Sequence, residues 1–219
     1  MSKMVWDQTA QRLYETGVEQ VALFVQDKGS YGTGVAWNGV TALNITPSGA
    51  EPTPLWANNR KYLNLMSAEE IGATVEGYTY PDEFMACDGS ATVAPGVYIG
   101  QQARKQFALV GKTLIGNDTE GNKHGYKLHL LWNCLASPSE KAYATVNDSP
   151  EAITLSWELT TTPVEVEGYE ATAYMCIDST KTDADKLKAL EAKIYGSDSE
   201  EPTMPTPDEV ISMMAEVSG

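Results

Sequence analysis

The chain has 219 residues, 42% of them hydrophobic and 9% aromatic, with 30 acidic against 15 basic side chains and a net charge of −15. That composition suits one well-filled globular domain with at most a small appendage, and not a disordered chain. It argues against a phosphate-neutralising nucleic-acid binder, which needs clustered lysine and arginine. The lack of an apolar run of about 18 residues argues against a membrane-spanning helix.

The opening MSKMVWDQTAQRLYETG lacks the apolar centre of a secretory signal, so synthesis in a cytoplasm is expected. Residues 1–17 read as an arm anchored by Val5 and Trp6. A first strand is predicted over Val18–Gln26, with Val21, Leu23 and Val25 on one face. After the turn Asp27–Gly32, a second strand is predicted over Gly34–Asn44, irregular at Gly39.

Residues 45–70 (ITPSGAEPTPLWANNRKYLNLMSAEE) carry Pro47, Pro52 and Pro54, which should prevent regular pairing. The same segment holds Leu55, Trp56, Tyr62, Leu63 and Leu65, large side chains for a solvated loop. A long loop or hairpin that docks on something is expected, against the alternative of one folded back on its own domain.

Ile71–Tyr80 has strand alternation, with Ile71, Ala73 and Val75 opposite Thr74 and Glu76. Pro81-Asp82-Glu83-Phe84 reads as the start of a short helix. Strands are predicted again over 97–100, 106–115, 126–135 and 141–147, with a turn at 117–122. Residues 151–178 (EAITLSWELTTTPVEVEGYEATAYMCID) contain the most regular alternation in the chain. Ile153, Leu155, Trp157 and Leu159 point one way, and Thr154, Ser156, Glu158 and Thr160 the other.

Asp183–Tyr195 is the clearest helix, with Leu187, Leu190 and Ile194 at helical spacing, Asp183 as cap and Gly196 as terminator. Residues 197–207 read as an acidic, proline-rich linker. Asp208–Val217 has the pattern of an amphipathic helix bearing Val210, Ile211, Met213 and Met214, either a docking arm or a frayed end. Residues 183–219 hold nine acids against three lysines, a net of −6, and so concentrate the acidity. The chain therefore divides into an arm (1–17), a β domain (18–196) and a C-terminal extension (197–219).

Chemistry is sparse. His124 and His129 have no metal-ligand spacing, and Cys87, Cys134 and Cys176 are scattered and read as reduced packing residues. Asn44, Asn117 and Asn147 open Asn-x-Ser/Thr triplets, read as turn chemistry rather than glycan sites. Gly111-Lys112-Thr113 is not a phosphate loop, because Gln106 stands where the first glycine is required. Glu69-Glu70 and Asp82-Glu83 offer acids for a glycosidase pair, but nothing in the sequence places two of them across a cleft. No catalytic, cofactor or metal residue is expected, and a long, chemically plain β face favours a protein whose role is its shape.

Several extended phrases are familiar as a group: WNGVTALNITPSGAEPTPLWANNRKYLNLMSAEE, GATVEGYTYPDEF, NDTEGNKHGYKLHLLWNCLASPSEKAYATVNDSPEAITLSWELTTTPVE and DADKLKALEAKIYG. Over roughly residues 3–196 the chain resembles the major tail tube protein of long non-contractile-tailed bacteriophages and their prophages. The resemblance implies a mainly β fold, a sandwich or half-barrel with short flanking helices, completing a β-barrel tube on oligomerisation. It implies hexameric rings stacked into a tube in the virion tail, assembled in the host bacterial cytoplasm, that conducts viral DNA into the host. It also implies a tape measure protein in the lumen, tail terminator and distal tail proteins at the ends, only transient passage of DNA, and no membrane binding, cofactor or catalysis.

Combining the pattern with the resemblance, Thr74, Glu76, Thr154, Ser156, Glu158 and Thr160 are the lumen candidates. Pro54, Leu55, Trp56, Tyr62, Leu63 and Trp6 are the ring-stacking candidates, with Met213 and Met214 as a further possible contact. The alternatives are a non-enzymatic decoration or adhesion module of a virion or cell surface, and a small β-sandwich enzyme acting on polysaccharide.

Overall fold

The computed structural model describes residues 3–146, 148 and 151–215. Its strands are β1 (Tyr14–Asp27), β2 (Ser30–Tyr31), β3 (Val35–Ala36), β4 (Val40–Gly49), β5 (Pro52–Ala57), β6 (Arg60–Met66), β7 (Glu69–Gly77), β8 (Ala91–Ala94), β9 (Val97–Ile99), β10 (Phe107–Asn117), β11 (Gly121–Ala136), β12 (Leu155–Thr161), β13 (Val164–Val166), β14 (Tyr169–Thr172) and β15 (Tyr174–Asp178). A 3-10 turn covers Asp82–Ala86, and two helices follow the strands, α1 (Ala184–Tyr195) and α2 (Pro207–Met214).

One antiparallel sheet of nine strands runs β2-β1-β10-β11-β12-β7-β4, with β3 added beside β1 and β15 beside β11. The long β11 serves both β15, through Lys127–Leu131, and β12, through Cys134–Ala136, along the same edge. Three two-stranded hairpins stand apart from this sheet: β5–β6, β8–β9 and β13–β14. The mainly β, unclosed architecture expected from the sequence is the one observed.

The central strands are apolar on successive residues because both of their faces are covered. The inner face carries Val21, Leu23, Leu109, Leu131, Val75 and Trp157. An aromatic group closes it, with Trp37 and Phe84 rings 4.5 Å apart and Phe84 and Trp157 5.1 Å apart. The outer face carries Phe24, Val110, Leu128, Leu130 and Trp132, packed beneath Leu187, Leu190 and Ile194 of α1 and Val210 of α2. The curl of the sheet brings β4 across β10 so closely that a Cβ on Gly111 would lie 2.7 Å from Leu43 Cδ2.

α1 begins and ends as predicted. Asp183 accepts from the N–H groups of Asp185 and Lys186 at 3.0 Å each, and Gly196 leaves the helix at φ +80°.

Several expectations are corrected. Pro47, Pro52 and Pro54 do sit in ladders, opposite Ile71, Met66 and Asn64, because β4, β5 and β6 are edge strands where a missing N–H costs nothing on the outer side. The strand predicted over 34–44 breaks into β3 and β4, because Trp37 turns its indole inward to donate to Thr79 O at 2.8 Å while Gly39 takes φ +75°. Residues 141–146 are irregular rather than a strand, anchored at their start by Lys141 on Asp88; Asn147 lies outside the described residues. Cys87 and Cys134 are buried, but Cys176 is exposed on β15.

α2 is neither a free arm nor frayed over the described residues. Residues 197–206 cross the outer face as a strap, with Trp132 Nε1 donating to Pro205 O at 2.9 Å and the Gly34 N–H to Pro202 O at 3.0 Å. Thr206 and Glu209 then form a reciprocal capping box, and Val210 is fully buried. Residues 216 and 217, the expected end of this helix, lie outside the described residues.

Candidate assembly surfaces

Side-chain alternation along β4, β7 and β12 sends the apolar set inward and builds a polar face on the other side. The register aligns Asn44, Thr74 and Glu158 in one row, Ala42, Glu76 and Ser156 in the next, and Thr46, Gly72 and Thr160 in a third. Facing residues in such rows have Cβ atoms about 5 Å apart. Five of the six sequence-predicted lumen candidates, Thr74, Glu76, Ser156, Glu158 and Thr160, are thus neighbours. Thr154 is exposed just before β12 begins, outside the ladder. Among the described residues, neither Glu76 nor Glu158 takes part in an ion pair, so both carboxylates act as free negative charge.

The sheet curls without closing, and no ladder joins β4 to β1. β4 pairs only with β7. The first half of β1, Tyr14–Gln20, pairs only with β10, because β3 and β2 reach no further than Ala22 on its other side. Unpaired N–H and C=O groups along such edges invite another chain. Between these edges lies a cleft of about 440 Å³, walled by Glu15–Gly17 and Leu43–Ile45 and floored by Thr113, His129 and Tyr174.

His129 has both ring nitrogens engaged, Nε2 with Thr113 Oγ1 and Nδ1 with Tyr174 Oη, each at 2.8 Å. Burial lowers its pKa from the ordinary histidine value and favours the neutral ring. His124 is held at the β10–β11 turn by Glu120 Oε2 at 2.6 Å. Among the described residues no three His, Cys, Asp or Glu side chains gather as they would around a metal. Glu69-Glu70 open β7 while Asp82-Glu83 lie in the 3-10 turn past its other end, so the two pairs do not face each other. Lys112, in the middle of β10, pairs with Glu191 of α1 at 2.8 Å.

The hairpin β5–β6 is exposed along its whole length. Asn58 and Asn59 both take positive φ, 51° and 59°, the geometry of a two-residue hairpin turn. Pro54, Leu55, Trp56, Tyr62 and Leu63 all lie on it, with Trp56 68% and Tyr62 70% exposed. An isolated two-stranded hairpin is marginal in water, and apolar exposure of this extent marks an interaction surface.

Trp6, the sixth stacking candidate, sits elsewhere. Its arm is pinned at the β10–β11 turn, where Asp118 accepts from the Ala10 N–H at 2.9 Å and pairs with Arg12 at 3.6 Å. Met4, Val5 and Trp6 beyond that point are exposed. Met213 and Met214 pack against the outer core. The strand predicted over 97–100 is β9, but the sequence reading missed its partner β8 and so the second exposed hairpin, whose Val93, Val97, Tyr98 and Ile99 are uncovered. Its signal was the alternation in ATVAPGVYIG around the Pro-Gly turn.

No family model matches this chain, and no curated protein matches it. Among solved structures it is similar to a chain of the anti-feeding prophage baseplate, at 11% identity over 80% of this chain and 97% of that one, with a TM-score of 0.40. It is also similar to a chain of the sheath-tube complex of an extracellular contractile injection system in the extended state, at 10% identity over 73% and 88%, TM-score 0.33. A chain of that type of system's sheath/tube terminator gives 9% identity over 80% and 99%, TM-score 0.33. At TM-scores below 0.5, function has to be argued from the surfaces of the chain itself.

Proposed function

We propose that this chain is the repeating subunit of a hollow, phage-type tail tube: copies close into hexameric rings, rings stack, and the bore conducts DNA. The observation that carries the reading is the open sheet, with unpaired edges on β4 and the first half of β1 beside one continuous polar face. A ring in which each edge meets its neighbour's removes exposed edges altogether. The rows containing Glu76 and Glu158 then line the bore.

An anionic wall suits a conduit. Basic residues would hold the phosphates of passing DNA, whereas carboxylates repel them over about 8 Å at physiological salt. The stacking contact belongs to the β5–β6 hairpin, through Trp56 and Tyr62. The sequence resemblance adds the tape measure protein as earlier occupant of the bore, and terminator and distal tail proteins at the ends.

Negative-stain microscopy of the concentrated protein tests the reading. Stacked rings or tubes with a stain-filled channel are expected. Single particles at every concentration, with sedimentation as a monomer, would leave the decoration or adhesion module as the better account.

A further inference from the structure

The outer side of β1 borders a second cavity, of about 530 Å³, at the end of the sheet opposite the β5–β6 hairpin. Its walls are β1 from Val18 to Ala22, the segment Gly34–Val40, and Ile194, Tyr195 and Pro202 from α1 and the strap. Val18, Val35 and Val40 make it apolar, and no lysine or arginine lines it. The Tyr195 hydroxyl is buried without a hydrogen-bond partner among the described residues, which is a cost unless something supplies one. Glu19 lines the cavity and is exposed. Glu201 precedes Pro202 at its edge and is held there by Thr33 Oγ1 at 3.1 Å.

The hairpin is the chemical complement of this cavity. Residues 52–66 contain no acid and two cations, Arg60 and Lys61, in a chain of net charge −15. Neither cation is in an ion pair among the described residues. Both sit next to the exposed Trp56 and Tyr62, and Lys61 is the cross-strand partner of Trp56.

Position completes the argument. β4 begins with Val40, a cavity residue, and ends at Gly49, where the hairpin departs. The two are the ends of a ten-residue strand, nine steps or about 30 Å apart. A subunit therefore carries a cationic aromatic knob at one pole and an acid-edged apolar socket at the other. A contact between different surfaces at opposite poles is head-to-tail and repeats without closing.

We propose that the tip of the β5–β6 hairpin of one copy inserts into the Val18–Val40–Tyr195 cavity of the next copy along the tube. Trp56 and Tyr62 fill the apolar floor, and Arg60 and Lys61 face Glu19 and Glu201. This rests on the tube reading and names the acceptor surface for its axial contact.

Two experiments on the full chain decide it. With the photo-crosslinking residue p-benzoylphenylalanine in place of Trp56, adducts mapped by mass spectrometry should fall within 18–22, 34–40 or 194–202 of a second copy. Adducts elsewhere on a second copy overturn the socket while leaving the tube reading intact. Adducts in the socket from the same probe at Trp6, and none from Trp56, make the arm the occupant and also overturn it. If the wild-type chain forms no oligomer and the probe variants give no adduct between copies, both readings fall.

Charge exchange is the second arm. R60E/K61E, on exposed positions, should raise the concentration needed for assembly roughly tenfold or more. E19K/E201K should do the same, and the fourfold variant should recover most of the loss. Failure to recover, with all variants folded by circular dichroism, overturns the pairing. Should the rim variant not fold, the crosslink map decides alone.

Discussion

Lys141 places its ammonium 2.6 Å from Asp88 Oδ2, joining a segment with no ladder of its own to the end of the 3-10 turn. The same carboxylate accepts from Trp157 Nε1 at 3.1 Å and lies 3.9 Å from Arg104. Asp88 is thus a nearly buried acid shared by a core indole and two cations, and it fixes how residues 137–146 run past β12. Ser137 N–H donating to Glu158 O at 2.8 Å continues that path.

Asp88→Ala should cost more than Lys141→Ala. The first leaves Trp157 Nε1 and the Lys141 ammonium without their acceptor, at about 1–3 kcal/mol for each buried orphan, and takes the counter-charge from Arg104, which keeps its bond to Ala136 O; the second leaves Asp88 with two of its three partners. Urea denaturation compares them, and a larger loss from Lys141→Ala would refute the assignment of Asp88 as the hub.

Leu190→Ala, at the centre of the outer core, should destabilise by about 2–5 kcal/mol, the range for emptying a buried leucine site. Val210→Asp should instead act locally, undocking α2 and the strap and exposing Trp132. Hydrogen exchange should show faster exchange over 197–215 and little change in β10. Uniform acceleration across the sheet would mean that α2 is integral to global stability.

Folding lowers the pKa of His129, so the unfolded chain binds the proton more readily. The stability tied to the neutral ring is intact above the unfolded value of about 6.5 and is lost as pH falls through it toward the folded value. His129→Gln should be less stable at pH 7 but flatter between pH 7 and pH 5. An unchanged slope, read by denaturant midpoints across that range, would rule out His129 as its source.

Trp56→Ala should leave the thermal midpoint of the isolated subunit within the scatter expected of an exposed site, since the residue is largely exposed and belongs to no core cluster. Assembly is where the loss should appear, because large aromatic anchors carry most of a contact's energy. Tubes of normal length at wild-type concentration would remove Trp56 from the stacking contact.

Glu76→Lys with Glu158→Lys places two cations in adjacent rows of the polar face. If that face lines the bore, assembled tubes of this variant should retain duplex DNA at low salt and release it as salt rises, while wild-type tubes retain none. Equal retention by both would place the face elsewhere.

The strand alternations and one helix were legible because their periods are local. Val75 and Trp157 face inward in their strands, and Leu187, Leu190 and Ile194 face the core, as spacing alone requires. The Asp183 cap and the Gly196 stop are equally local, set by hydrogen bonds within a few residues. The gathering of Thr74, Glu76, Ser156, Glu158 and Thr160 was half legible: each face could be read, but not that β7 and β12, about eighty residues apart, are neighbours.

Register across the sheet, the proline-tolerant ladders and the socket at Val18–Val40–Tyr195 belong to tertiary structure. So does the fate of the C-terminal segment, whose acidic, proline-rich composition resembles a linker. There Met204 and Val210 are buried only because the outer faces of Phe24, Leu130 and Trp132, supplied by strands far away in the chain, leave a hydrophobic site for them. Periodicity is a property of neighbours along the backbone, and burial is a property of whatever the folded chain brings alongside.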